Sequence, residues 1–223
     1  MNEEIYLINN NTPMGPMGRF SSYEEIPKKF HRFHPSFENA NIPQQEISEC
    51  IEAVKSLNQD KITLVDWGGA DGKICDILRK TFPDIQFDFH IVETEKSIKL
   101  FSEKYKDRGT YHRYIEDIKV PYDVFLCNAA LTFAKDPFSI LRCVKSVKPK
   151  VVLIQRTWDT DEENSYLKLH VFIPNICPAW VISQKDMDSI LLPEYKMIYV
   201  RPSLQMQKYG NVFFRNRLYE RID

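Results

Sequence analysis

The fold class predicted by this sequence is α/β: a doubly wound, mostly parallel sheet of seven strands, with a C-terminal antiparallel strand pair and an N-terminal cap. Three observations predict it. Short β-rich runs alternate with helical apolar patterns, the first strand meets the first following helix through a glycine turn, and the last two strand-like runs have no helix between them. Strands that alternate with helices at this spacing pair in parallel through right-handed crossovers.

Residues 1–45 show no sustained period and carry Pro13, Gly15, Pro16, Gly18, Pro27, Pro35 and Pro43 among aromatic side chains, which reads as a cap or lid without its own core. Residues 46–223 are expected to form one domain. After Pro43, Ile47, Cys50, Ile51, Val54 and Leu57 fall at helical spacing, and Asn58 ends the pattern as a left-handed cap. Ile62 to Asp66 is the first strand of the alternation, Lys73 to Lys80 the next helix, Gln86 to Val92 the second strand and Ser97 to Tyr105 its helix. Thr110 to Ile115 and Tyr122 to Cys127 read as strands three and four. Asp136-Pro137 supplies an N-cap and a first-turn proline for a helix to Val147. Lys150 to Gln155 is an apolar strand of the kind buried on both faces. Thr157 to Pro178 reads as a long connection and a candidate substrate-facing insertion. Ser183 and Asp186 resemble a capping box for a helix through Met187, Ile190 and Leu191; Tyr195 to Arg201 and Asn211 to Tyr219 form the closing pair.

Composition narrows the function. Thirty Lys and Arg against 31 Asp and Glu leave a net charge of -1, so no global field draws the chain to nucleic acid or an anionic membrane. A small-molecule partner fits better. The apolar runs are far shorter than the roughly 20 residues of a membrane span, and the acidic start is unlike a signal peptide, so no integral membrane segment and a cytoplasmic location are expected. The five cysteines form no CxxC and read as reduced core residues. His31 and His34 lie three apart, but no third ligand follows at a metal-binding spacing, and no metal is predicted.

In doubly wound sheets ligands lie beyond the carboxyl ends of the strands, so the chemistry should sit just after each strand. The first is followed by Asp66-Trp-Gly-Gly-Ala-Asp-Gly72, where Gly68 and Gly72 let a ligand approach the backbone and free amides at the helix start favour a carboxylate. The second is followed by Glu93, an acceptor suited to two ribose hydroxyls. The fourth is followed by Asn128-Ala129-Ala130, a small slot with one amide. Together they suggest a nucleoside bearing an amino-acid tail.

Asp66-x-Gly68-x-Ala70-x-Gly72 resembles the first motif of class I S-adenosylmethionine-dependent methyltransferases, with alanine at the middle glycine. The resemblance covers roughly residues 46 to 156 and implies a Rossmann-like methyltransferase fold with S-adenosyl-L-methionine as cofactor. It further implies a cofactor site made by Asp66, Gly68, Gly69, Ala70, Gly72, Glu93, Asn128 and Ala129, with Glu116 or Asp117 near the adenine. A narrower pattern runs through Phe20 to Glu25, Val65 to Gly69, Ile91 to Glu93, Leu131 to Pro137, Gln155 to Thr157 and Cys177 to Ser183. It is similar to a bacterial group of methyltransferases encoded in surface-polysaccharide and lipopolysaccharide gene clusters, which implies a sugar or glycolipid-precursor acceptor.

Methyl transfer needs alignment more than acid-base chemistry, although a sugar hydroxyl benefits from a proton acceptor. His170 is the first candidate base. Arg156 and Asp159 are further candidate catalytic residues: Arg156, with Thr157, to orient the acceptor, and Asp159, with Asp161 and Glu162, as an alternative base or else part of a solvated acidic loop. Trp180 is a candidate for stacking on a sugar face or for the core. The glycine spacing does not match the G-x-G-x-x-G of nicotinamide enzymes, and Gly72-Lys73-Ile74 does not make a P-loop. A non-catalytic methyltransferase-like scaffold in the same pathway is the alternative reading.

Overall fold

The computed structural model describes residues 17–26, 41–172, 175–204 and 211–222. His31, His34 and most of the predicted cap lie outside them. In chain order the elements are β1 (Met17–Phe20), α1 (Gln44–Leu57), β2 (Lys61–Trp67), α2 (Lys73–Thr81), β3 (Gln86–Val92), α3 (Glu95–Phe101), β4 (Thr110–His112), β5 (Val124–Asn128), α4 (Pro137–Val147), β6 (Val151–Thr160), β7 (Tyr166–Phe172), β8 (Asn175–Ser183), α5 (Gln184–Leu191), β9 (Tyr195–Pro202) and β10 (Phe213–Arg221).

Seven strands make the predicted doubly wound sheet, in the order β4-β3-β2-β5-β6-β10-β9. From β4 to β6 the neighbours are parallel, and β10 runs antiparallel to both β6 and β9. Alternation along the central strands separates two cores. Val65, Phe125, Cys127, Val152 and Ile154 meet Leu141 and Val144 of α4 and Met187 and Leu191 of α5. Leu64, Val124, Leu126, Val151 and Leu153 meet Cys50, Ala53 and Val54 of α1 and Ile74, Cys75 and Leu78 of α2. Both faces of the sheet are thus covered, which is why its middle strands read as continuous apolar runs. Among the described residues no helix is long and apolar enough to cross a membrane.

The caps follow local chemistry. Asp136 accepts from the Ser139 amide and Ser183 from the Asp186 amide, each satisfying a free N–H of a first helical turn. The Ser183 box is only half formed, because the Asp186 carboxylate turns to the Ser165 amide and hydroxyl. Helix α3 starts two residues earlier than the periodicity predicts, since Thr94 caps it through the Ser97 amide, and it ends at Phe101.

The expected long connection at 157–178 is built mostly of strand, from the end of β6 through β7 into β8. β6 continues five residues past Gln155, or ~17 Å at about 3.3 Å per residue, and β10 pairs with it as far as Asp159. On its other edge β5 stops at Asn128, and β8 takes over at Asp159 and Thr160. β7 then pairs with β8 and β1 with β7, both antiparallel, which raises the sheet to ten strands. With the far end of β6, this three-stranded extension continues the sheet past the carboxyl end of β5 as a wall. Trp158, Tyr166, Ala179, Val181, Val212 and Phe214 pack its own small core.

Candidate functional site

Strands β2, β3 and β5 end side by side against the middle of β6, with Trp67 opposite Val92 and Cys127, and Asn128 opposite Gln155. Their interiors are buried, whereas Trp67 to Ala70, Glu93 and Thr94, Asn128 to Ala130, and Arg156 are partly open. The residues singled out after separate strands therefore share one rim.

Backbone conformation marks the same place. Gly68, Ala70, Gly72, Ala129 and Arg156 all have positive φ, between 49° and 73°; Asn58 and Lys148, the others in that region among the described residues, cap helices α1 and α4. Such conformations cost L-residues energy and persist only where surrounding contacts fix them. Gly68 donates its N–H to Val92 O at 2.8 Å, and an added Cβ would lie 2.2 Å from Ala130 Cβ, so the loops after β2 and β5 touch. At Gly69 a Cβ would lie 2.4 Å from Asp66 Oδ2. Gly72 caps α2.

Glu93 ties two of the strand ends together. Its Oε1 accepts from the Ala70 amide at 3.0 Å, its Oε2 from the Thr94 amide at 2.8 Å, and its own amide donates to His112 O. Each oxygen keeps acceptor capacity for a further donor. Beneath the loop Asp66 is buried, and that burial, with the charges of Glu93 and Asp71, pushes its carboxyl up to about 7. Glu116 and Asp117 lie in a short 3-10 turn after β4, both exposed; the Asp117 carboxylate accepts from the Tyr114 amide.

At the other end of the rim, Arg156 Nε donates to Asn128 Oδ1 at 2.7 Å, and the Arg156 amide donates to Asn216 Oδ1 at 2.7 Å. Asn216 in turn donates to Glu46 and Glu49, and Gln155 donates to the Glu49 carboxylate and the Glu46 carbonyl. All four of these residues are buried, and burial raises the Glu49 carboxyl above its usual range against three amide donors.

Asp159 is not at the open rim. It is fully buried in the wall and ion-paired to the equally buried Arg217, with Arg215 at 3.7 Å. The solvated-loop reading therefore fails at this position, although Asp161 is exposed and bonds to Arg215. Thr157 is buried as well. His170 lies in β7 opposite Cys177, and its side chain falls outside the described residues. Trp180 meets Phe138 edge-on at 5.4 Å, with its indole N–H near Lys135 O.

Four important residues were not singled out from the sequence. Arg108 grips the glycine loop through Asp71 O at 2.8 Å and the Asp71 carboxylate, and pairs with Asp76 Oδ2 of α2 at 2.7 Å. It reads as part of a charged surface turn, and nothing local reveals the role. Glu46 and Glu49 fall in the same helical stripe as Cys50 and Ala53, and acids in an apolar stripe were an available signal. Asn216 gave none.

The sheet is that of the Rossmann-like methyltransferase fold. Among solved structures the chain is similar to an S-adenosylmethionine-dependent methyltransferase from Clostridium acetobutylicum ATCC 824, with a TM-score of 0.57 and 9% identity over 81% of this chain and 92% of that one. It is also similar to the N-terminal domain of EvdMO1, crystallised in the presence of SAH and D-fucose, with a TM-score of 0.57 and 12% identity over 87% and 94%. The sugar N-methyltransferase KedS8 from Streptoalloteichus sp ATCC 53650 gives a TM-score of 0.52 and 12% identity over 86% and 100%. No protein-family model and no curated protein matches the chain.

Proposed function

We propose that this chain is a cytoplasmic S-adenosylmethionine-dependent methyltransferase whose acceptor is a small molecule, a sugar or glycolipid precursor of surface-polysaccharide assembly. The observation that carries the reading is the shared rim on which the glycine loop, Glu93 and Asn128 converge. The fold neighbours that act on a sugar or were crystallised with one support the acceptor class.

The rim fits the cofactor. Glu93 has acceptor capacity left for a ribose, the loop from Gly68 to Gly72 carries no side chain larger than alanine apart from the buried Asp71, and Asn128 to Ala130 are partly open. When bound, the cofactor supplies a sulfonium methyl group that is electrophilic without further activation. The chain's own task is to hold the nucleoside by Glu93, place the amino-acid tail against the loop after β2, and align the acceptor under the wall of β1, β7 and β8. Alignment of this kind lowers a barrier by up to about 7–11 kcal/mol in favourable cases. Arg156 orients the acceptor side, and His170 on the wall is the proposed proton acceptor for a hydroxyl. Asp159, sealed against Arg217, fixes the wall instead of moving a proton.

Calorimetric titration with S-adenosylmethionine, S-adenosylhomocysteine and NAD tests the reading. Uptake of both sulfur nucleosides and not of NAD is expected; uptake of neither would leave the scaffold reading in its place. Glu93→Ala should weaken nucleoside binding roughly tenfold or more, on the scale of hydrogen bonds to a charged acceptor.

A further inference from the structure

Arg156 differs from four other arginines withdrawn from solvent, of which Arg217 is fully buried. Arg79, Arg108, Arg215 and Arg217 each lie within ion-pair distance of a carboxylate. Arg156 does not. Its Nε is bound to the neutral oxygen of Asn128, and its two terminal amino groups make no hydrogen bond yet are not sealed from the rim.

Two features fix this fork in position. The backbone at Arg156 has a φ of 50°, placed where β10 shifts register against β6 between Arg215 and Arg217, and its amide is held by Asn216. Behind Asn216 stand the buried carboxylates of Glu46 and Glu49, with Gln155 between α1 and β6. Glu46 is the acid that favours the charged form of Arg156 against burial, but it lies beyond ion-pair distance. The charge is held in place without being neutralised.

We propose that Arg156 is an anion-reading residue, its terminal amino groups receiving two oxygens of a carboxylate or phosphate on the ligand at the rim. A planar guanidinium with a free edge matches such a pair of oxygens in geometry as well as charge. The inference rests on the rim being the ligand site. Two sources supply this chemistry: the α-carboxylate of the cofactor's amino-acid tail, and an acidic or phosphorylated sugar acceptor.

The test compares wild type with Arg156→Met and Arg156→Lys by calorimetry. The probes are S-adenosylhomocysteine, 5′-methylthioadenosine (which lacks the carboxylate) and inorganic phosphate added to protein saturated with S-adenosylhomocysteine. If the cofactor is the source, Arg156→Met weakens S-adenosylhomocysteine roughly tenfold to a hundredfold and leaves 5′-methylthioadenosine within about twofold. If the acceptor is the source, both nucleosides bind as in wild type, while phosphate binding seen in wild type is lost. Arg156→Lys keeps the charge and stem without the fork, so it should fall between the two and stands in if Arg156→Met does not fold. Equal binding of all three probes by wild type and both variants overturns the proposal. Should wild type bind neither nucleoside, the methyltransferase reading falls by itself, and phosphate titration of the ligand-free proteins still decides the role of Arg156.

Discussion

Replacing Gly68 with alanine adds a methyl group where two loops already touch. The added Cβ would lie 2.2 Å from Ala130 Cβ, and the backbone there has a φ of +73°. The left-handed conformation costs an L-residue about 1–2 kcal/mol, and overpacking a fixed contact costs about 1–3 kcal/mol. Gly68→Ala should therefore destabilise the fold by about 2–5 kcal/mol. Ala130→Gly separates the two terms, because without that Cβ the new methyl meets only Ala130 Cα at 3.7 Å, an ordinary contact. By itself Ala130→Gly should cost about 0.5–1 kcal/mol through backbone freedom. The double variant should recover the overpacking part and retain the conformational part, giving a favourable coupling of at least about 1 kcal/mol. Urea unfolding of the four proteins at one temperature, with unchanged m-values, measures it. Additivity within about 0.5 kcal/mol would mean that the loops after β2 and β5 do not meet, and the shared rim would lose its central contact.

Asp66, with its carboxyl raised to about 7 from 3.8, keeps a proton in the native state that the unfolded chain loses from about pH 4 upward. Its stabilisation is complete below that pH and is lost as pH rises to 7, on the order of 4 kcal/mol in all. His112, held low by burial and by His90, has the opposite sign and loses stability as pH falls through about 6.5. The informative quantity is thus the difference between wild type and Asp66→Asn in urea titrations at pH 5 to 8: the Asn variant should gain relative stability with rising pH, and a flat difference contradicts the placement of Asp66. Asn216→Ala removes the acceptor of the Arg156 amide and a donor to both Glu46 and Glu49, and should cost about 3 kcal/mol in the same assay; under 1 kcal/mol would show that the buried network does not hold Arg156. Arg108→Met frees the glycine loop from its grip and should lower stability by about 1–3 kcal/mol while weakening S-adenosylhomocysteine more than it changes the fold's far-UV spectrum. Unaltered nucleoside affinity in that variant would separate the loop from the ligand.

The order of strands and helices was legible because burial on both faces of a parallel sheet leaves apolar runs such as Val151 to Ile154, and because Asp136 and Ser183 announce helix starts through local hydrogen bonds. The wall was not legible. Past Gln155 the chain reads Arg156-Thr-Trp-Asp-Thr160, which looks like a polar exit, yet Thr157, Asp159 and Thr160 are buried. What permits this is Arg217 on β10, brought opposite by a pairing that the local sequence around Asp159 does not encode. The rim shows the same division. Gly68, Glu93 and Asn128 stood out by residue type and position after a strand. Arg156 stood out in the same way, as a residue after a strand, but its positive φ did not, since arginine gives no sign of a left-handed backbone.

That difference bears on how the site is built. At Gly68 and Gly72 the conformation is inexpensive, because glycine tolerates it, whereas at Ala70, Ala129 and Arg156 an L-residue adopts it only because a partner holds its amide. Those partners are Glu93 for Ala70, the Gln155 carbonyl for Ala129 and Asn216 for Arg156. Gln155 and Asn216 belong to one buried network rooted in Glu46 and Glu49 of α1. A disturbance of α1 therefore reaches the Asn128–Arg156 end of the rim before it reaches Glu93, which is anchored instead through Thr94 and His112. Glu49→Leu should accordingly shift the affinity for an anion at Arg156 while leaving 5′-methylthioadenosine, gripped at the Glu93 end, close to its wild-type value. Equal loss at both ends, measured by calorimetry on folded protein, would show the rim to be one rigid unit instead of two separately supported halves.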